Sequence, residues 1–99
     1  MVDIAKVRRE DIRWQAMLTL NNARPIGAYE ELVLSVVRAI YPDATAMELR
    51  KELDYLAERK LIILERNRLV WFAKINRYGI DIVEYVVPCD PGIARPRKW

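Results

Sequence analysis

A chain of 99 residues, 53% apolar and 31% charged, holds enough hydrophobic material for one core and does not read as a disordered tail. It contains no histidine, which removes Ser-His-Asp and Cys-His catalysis, histidine-based zinc sites and an imidazole proton shuttle. The lone Cys89 can form no internal disulfide, the net charge of +3 falls short of a strong basic stripe, and no apolar run approaches the roughly 20 residues of a membrane span.

The first helix is predicted from about Arg9 to Asn21. Trp14, Met17, Leu18 and Asn21 follow helical spacing, and Ile12, Ala16 and Leu20 widen the apolar face. Residues 21–27, with two asparagines and Pro25, end it. A second helix is predicted from about Ala28 to Ile40, with Tyr29, Val33, Val36, Val37 and Ile40 along one side. Glu30 and Glu31 sit in its first turn, where carboxylates favour the positive end of the helix dipole. Pro42 closes it, and only a few residues precede the third helix.

Helix three opens with Thr45 and Glu48, which fit the S/T-x-x-E capping box in which each side chain satisfies a backbone N–H near the other. Leu49, Leu53, Leu56 and Ala57 form its buried stripe, and Arg59-Lys60 suit its negative end. Residues 61–64 and 69–73 are β-branched or aromatic runs joined by the polar turn Glu65-Arg66-Asn67-Arg68, the pattern of a hairpin. Its second strand places Leu69, Trp71 and Ala73 on one face and Val70 and Phe72 on the other. Trp14 and Trp71 read as core aromatics. A last helix from Asn76 to about Tyr85, capped by Asn76, should cover the outer face of the hairpin. If it leaves Val70 and Phe72 open, they form an apolar patch suited to a homodimer. Gly79 lies early in that helix and suits a close approach to a neighbour. Three prolines after Val87 divide the chain into a folded domain, 1–87, and a Pro-rich basic tail, 88–99.

The expected fold class is therefore α+β, mainly α: three helices, a two-stranded β-wing and a C-terminal helix. This order resembles the winged helix-turn-helix domains of the MarR and ArsR type. The residues that carry the likeness are Glu48-Leu49-Arg50-Lys51-Glu52-Leu53-Asp54-Tyr55-Leu56, then Glu58-Arg59-Lys60-Leu61-Ile62. They are similar to the pattern that runs a recognition helix into the first wing strand. Asn76-Arg77-Tyr78-Gly79 is similar to the "L-T-x-x-G" start of the closing helix, with asparagine in place of threonine. Residues 78–85 and 89–96 further resemble small winged-helix proteins encoded in Mu-like prophages near the packaging genes. The resemblance implies a non-catalytic module that binds duplex DNA, of the phage accessory or regulatory kind. The alternative it leaves open is a protein–protein adaptor on the same scaffold.

Turning the leucine stripe inward leaves Met47, Glu48, Lys51, Asp54, Tyr55, Glu58 and Arg59 outward, three carboxylates against two cations. Phosphates attract Lys and Arg and repel Asp and Glu, so this face is a poor match to DNA as it stands. Lys51 and Tyr55 are its candidate contacts, although Lys51 is well spaced to pair with Glu48 instead. Arg66, Arg68, Lys74 and Arg77 surround the hairpin and are candidate phosphate contacts, or simply keep an exposed edge soluble. Arg95, Arg97 and Lys98, next to Trp99, are a candidate tail contact for nucleic acid or a protein partner, against the commoner outcome of an unstructured terminus. No nucleophile–base pair, phosphate-cradling glycine loop or metal-ligand spacing occurs, so no enzyme, cofactor or metal is expected. Residues 1–9 lack the apolar stretch of a secretory signal, and the expected location is the cytoplasm.

Overall fold

A computed structural model describes residues 1–98. Over the described residues the chain is a mainly helical α+β fold of four helices and a small three-stranded antiparallel sheet: α1 (Ile4–Asn22), β1 (Ala28–Tyr29), α2 (Glu30–Ile40), α3 (Ala46–Glu58), β2 (Ile62–Glu65), β3 (Phe72–Ile75) and α4 (Arg77–Val83). Strand order in the sheet is β1-β3-β2. Among the described residues no helix is long and apolar enough to cross a membrane.

Helix α1 starts earlier than the apolar spacing predicts. Asp3 caps it, its carboxylate accepting from the Lys6 amide at 3.1 Å. The first turns carry Ile4 and Val7, which stay exposed, so no buried face marks them in the sequence. Beyond them Ile12, Trp14, Ala16, Met17 and Leu20 are all buried, because α1 runs through the centre and touches α2, α3, β3 and α4.

The segment expected to begin α2 is instead strand β1, where Ala28 pairs with Ala73 and Tyr29 with Phe72. Two residues are too few to show a period of two. Gly27 makes this pairing sterically feasible: its φ is +94°, and a Cβ there would lie 2.5 Å from the Ala73 carbonyl oxygen.

Thr45 caps α3 as predicted, accepting from the Glu48 amide at 3.1 Å. The reciprocal half of the capping box does not form, because the Glu48 carboxylate is turned onto Arg8 of α1. Leu49 and Leu53 are almost wholly buried, as their spacing requires. At the other end, Lys60 N donates to Ala57 O (3.1 Å) and Leu61 N to Leu56 O (3.0 Å), a closing turn that needs the left-handed φ of +66° at Lys60. A lysine there carries a strain that glycine avoids. Lys60→Gly should therefore raise stability by about 0.5–1 kcal/mol, read as a rise in thermal midpoint of about 4 °C. An unchanged or lower midpoint would refute this.

The hairpin forms in a register different from the expected one. Ile62 pairs with Ile75, Leu64 with Ala73 and Glu65 with Phe72, so residues 66–71 are the connection and Leu69 and Val70 are not in a strand. Ala73 and Ile75 take the buried face, Trp71 is half-buried and Leu69 is exposed. Polar ties cause the shift: Trp71 N donates to the Glu30 carboxylate, and Arg50 Nη2 donates to Leu69 O at 3.1 Å. Phe72 is covered by the edge of the Tyr29 ring, 4.9 Å between centroids, rather than left open with Val70 as a two-residue patch.

Asn76 caps α4, accepting from the Arg77 amide at 2.9 Å. The prolines keep residues 88–98 out of helix and strand, yet the segment is docked as a strap instead of trailing free. Ile93 is buried, Ala94 N donates to Glu10 O (3.1 Å), and Tyr85 Oη donates to Pro96 O (2.6 Å). The boundary at residue 87 is thus one of secondary structure, not of packing.

Candidate nucleic-acid interface

Three arginines from other elements decide what α3 shows to solvent. Arg8 holds both oxygens of Glu48 (2.7 and 2.8 Å) and also reaches Asp43 (2.9 Å). Arg13 holds Glu52 (2.8 Å), which is buried. Arg66 from the hairpin holds Asp54 through two bonds of 2.6 and 2.8 Å. Two of the three carboxylates counted on the outward face, Glu48 and Asp54, are therefore neutralised. Glu58 stays exposed, and no partner for its carboxylate is found among the described residues. The pairing of Lys51 with Glu48 that the spacing favours does not form, since Arg8 occupies both oxygens of that carboxylate. Lys51 is exposed.

Tyr55 does not stand free on the outward face as its spacing predicts. The Arg13 and Arg59 guanidiniums stand 3.4 and 3.5 Å from its ring centroid, and two groups that close cannot share one face of the ring. Its hydroxyl donates to Pro91 O of the strap at 3.4 Å. Gly92 continues this contact: any Cβ there would overlap the Tyr55 hydroxyl, and Arg13 Nη1 donates to Gly92 O at 2.8 Å. Tyr55 is a docking post for the strap rather than a presented contact.

The hairpin cations divide. Arg66 and Arg68 lie in the connection, Arg68 donating to the Tyr29 hydroxyl (2.9 Å) and standing 3.5 Å from Glu65. These ion pairs are roughly half exposed, so each contributes little to stability and exchanges readily for another anion. Lys74 lies at the other end of β3, lining a hollow with Arg24 and Pro25. Arg77 is on α4, 3.6 Å from Asp81 one turn on. The structure thus gathers Lys51, Arg66 and Arg68 around α3 and leaves Lys74 and Arg77 elsewhere.

In the strap, Arg95 is structural. Its Nη1 donates to Ile82 O (3.0 Å) and Val87 O (2.9 Å), closing the end of α4, and its guanidinium covers the Tyr85 ring at 4.4 Å. Arg97 is exposed, and Lys98 Nζ stands 5.9 Å from the same ring. Trp99, their expected neighbour, lies outside the described residues. Burial pushes the Cys89 thiol up, away from thiolate. Among the described residues no group of three or more metal-binding side chains gathers.

Behind this surface sits a brace that apolar periodicity does not reveal. Glu30, buried at the start of α2, accepts from Arg50 of α3 at 2.7 and 2.6 Å and from the Trp71 amide. The Arg50 guanidinium holds this carboxyl below its ordinary range despite burial, which opposes the charge. Arg50 and Arg66 both stand over the Trp71 ring, 4.6 and 5.5 Å from its centroid. Trp71 is thus clamped at the junction of α3 and hairpin rather than sunk in the core. The Arg8–Glu48 and Arg13–Glu52 pairs are equally hidden from the sequence, their members lying 40 and 39 residues apart.

No family model matches this chain, and neither a curated protein nor a solved structure matches it significantly.

Proposed function

We propose that this chain is a non-catalytic winged helix-turn-helix protein that binds duplex DNA through α3 and the β2–β3 hairpin. The observation that carries this reading is the removal of charge from α3. Glu48, Glu52 and Asp54 are each held by an arginine of another element, so Lys51 stands exposed on α3 with these carboxylates already paired, and Arg66 and Arg68 follow in the hairpin. The short β1 strand, the tight α2–α3 connection and the hairpin directly after α3 support the winged-helix assignment. The likeness to small proteins of Mu-like prophages supports an accessory or regulatory role in a phage or prophage.

Fluorescence anisotropy with labelled duplex DNA across a salt series tests the reading. Affinity should fall steeply with salt, and Arg66→Ala/Arg68→Ala should make the log–log slope shallower by about one per lost phosphate contact. Absence of salt-sensitive binding at low ionic strength would overturn it.

One observation favours the adaptor reading in that event. A groove of about 390 Å³ between α1 and α2 is lined by Leu18, Leu32 and Val36 with Gln15 and Thr19. Leu32 is 53% exposed, a surface suited to a protein partner or a second copy. A solution-mass measurement separates those two.

A further inference from the structure

Arginines near α3 mostly serve internal ion pairs: Arg8, Arg13, Arg50 and Arg66 are all bound to carboxylates. Arg9 and Lys51 differ. Among the described residues neither has a carboxylate, hydrogen-bond or ring partner for its side chain, and both are exposed. They line the same groove, about 350 Å³, between the first half of α1 and the first half of α3. Its walls also hold Glu48 and Glu52, but Arg8 and Arg13 already bind them, so neither is free to neutralise Lys51. Arg8 itself, Ala5, Thr45 and Met47 complete the lining, and Met47 is 73% exposed. Arg9 and Lys51 thus face one groove with no carboxylate bound to either; like charges repel, and an anion between them would relieve that repulsion.

We propose that the Arg9–Lys51 groove seats a backbone phosphate of duplex DNA, so that the interface extends from α3 onto α1. The proposal rests on the DNA-binding reading above and adds to it a contact from the first helix. The placement favours DNA over an acidic peptide. The hairpin with Arg66 and Arg68 flanks α3 on the side of Arg50 and Asp54, and the groove flanks it on the side of Glu48 and Glu52. A helix about 10–12 Å across lying in a major groove about 12 Å wide has one sugar–phosphate strand on each side. Cations on both flanks of α3 match that arrangement. The contact reads no bases, and Met47 and Ala5 offer apolar surface to the sugar.

The test uses the full chain and three unrelated labelled duplexes, over a salt series, with Arg9→Ala/Lys51→Ala compared to the unaltered protein and to Arg9→Lys/Lys51→Arg. The alanine pair should flatten the salt slope by about one, for the one phosphate lost, and weaken binding to all three duplexes alike. The charge-retaining pair should keep the slope. Neither side chain has an internal partner, so thermal melts of all three proteins should coincide. If the unaltered protein binds with a steep slope and the alanine pair keeps it, the groove is not a phosphate seat, while the DNA reading survives. If the unaltered protein shows no salt-sensitive DNA binding, both fall. Binding of polyglutamate but not DNA, lost in the alanine pair, would replace the proposal with an acidic protein partner.

Discussion

Replacing Glu30 by alanine is expected to destabilise the protein by about 3 kcal/mol, more than a typical single substitution. The Glu30 side chain is 5% exposed, and its carboxylate accepts two bonds from Arg50 and one from Trp71 N, while its own amide donates to Trp71 O at 2.8 Å. One residue therefore joins the start of α2, the middle of α3 and the entry to β3. Burying a carboxylate is costly, and charge-assisted bonds repay it only while all partners are present. Alanine would leave the Trp71 amide without its carboxylate acceptor and Arg50 without its charge. Because the Arg50 side chain keeps 35% exposure, water recovers part of the loss, which sets the effect toward the lower end for broken buried pairs.

Urea unfolding at pH 7 measures this directly. The pH dependence supplies an independent sign. The Glu30 carboxyl is held below its ordinary value first by Arg50 and further by the Trp71 amide, with burial acting the other way. A depressed carboxyl stabilises the fold fully above its unfolded value of about 4.3, and that stabilisation is lost as pH falls through the folded value. The stability gap between the unaltered protein and Glu30→Gln should stay constant from pH 7 to about 5 and close on further acidification. A gap that widens in acid would show that the carboxylate is not stabilising.

Gly79→Ala should destabilise by about 3 kcal/mol or prevent folding, at the upper end of the cost of overpacking. Intrinsic helix propensity predicts the opposite, a gain of about 1 kcal/mol. Gly79 is the third residue of α4, and a Cβ there would overlap the Leu61 carbonyl oxygen and lie 2.9 Å from Ile75 Cγ1. Leu61 is fully buried, and its carbonyl also accepts from Asn76 N at 2.9 Å, so it cannot move aside. Helix α4 would have to lift, opening Ile82 and Val83 and pulling on the strap that Arg95 ties to Ile82 O. Thermal unfolding followed by circular dichroism decides the sign, and a stabilised Gly79→Ala protein would refute the packing account.

These residues show why the candidate site was only partly legible in the sequence. Thr45 and Asn76 were readable as caps because a cap is a local contact within a few residues. The leucines of α3 were readable because burial of one face imposes a period. Of the candidate contacts, Lys51 is exposed on α3 and Arg66 pairs with Asp54 there, whereas Tyr55 binds the strap and Arg95, itself in the strap, binds the end of α4. Their partners stand 36 residues away for Tyr55 and 8 and 13 for Arg95, and all are backbone carbonyls, which no side-chain pattern marks. Glu30 presented itself as a first-turn carboxylate favouring the helix dipole. Its partner Arg50 lies 20 residues on, and no local pattern marks that pair.

Propensity, capping and apolar period act over a few residues, so the principal helices, the hairpin and their order along the chain were already written in the residues, as was the lack of an imidazole. The hairpin register, the docking of residues 88–98 and the charge that α3 presents were set only when distant segments met. Those depend on which arginine reaches which carboxylate across elements, and Coulomb attraction and hydrogen bonding select partners by distance in space rather than by separation along the chain.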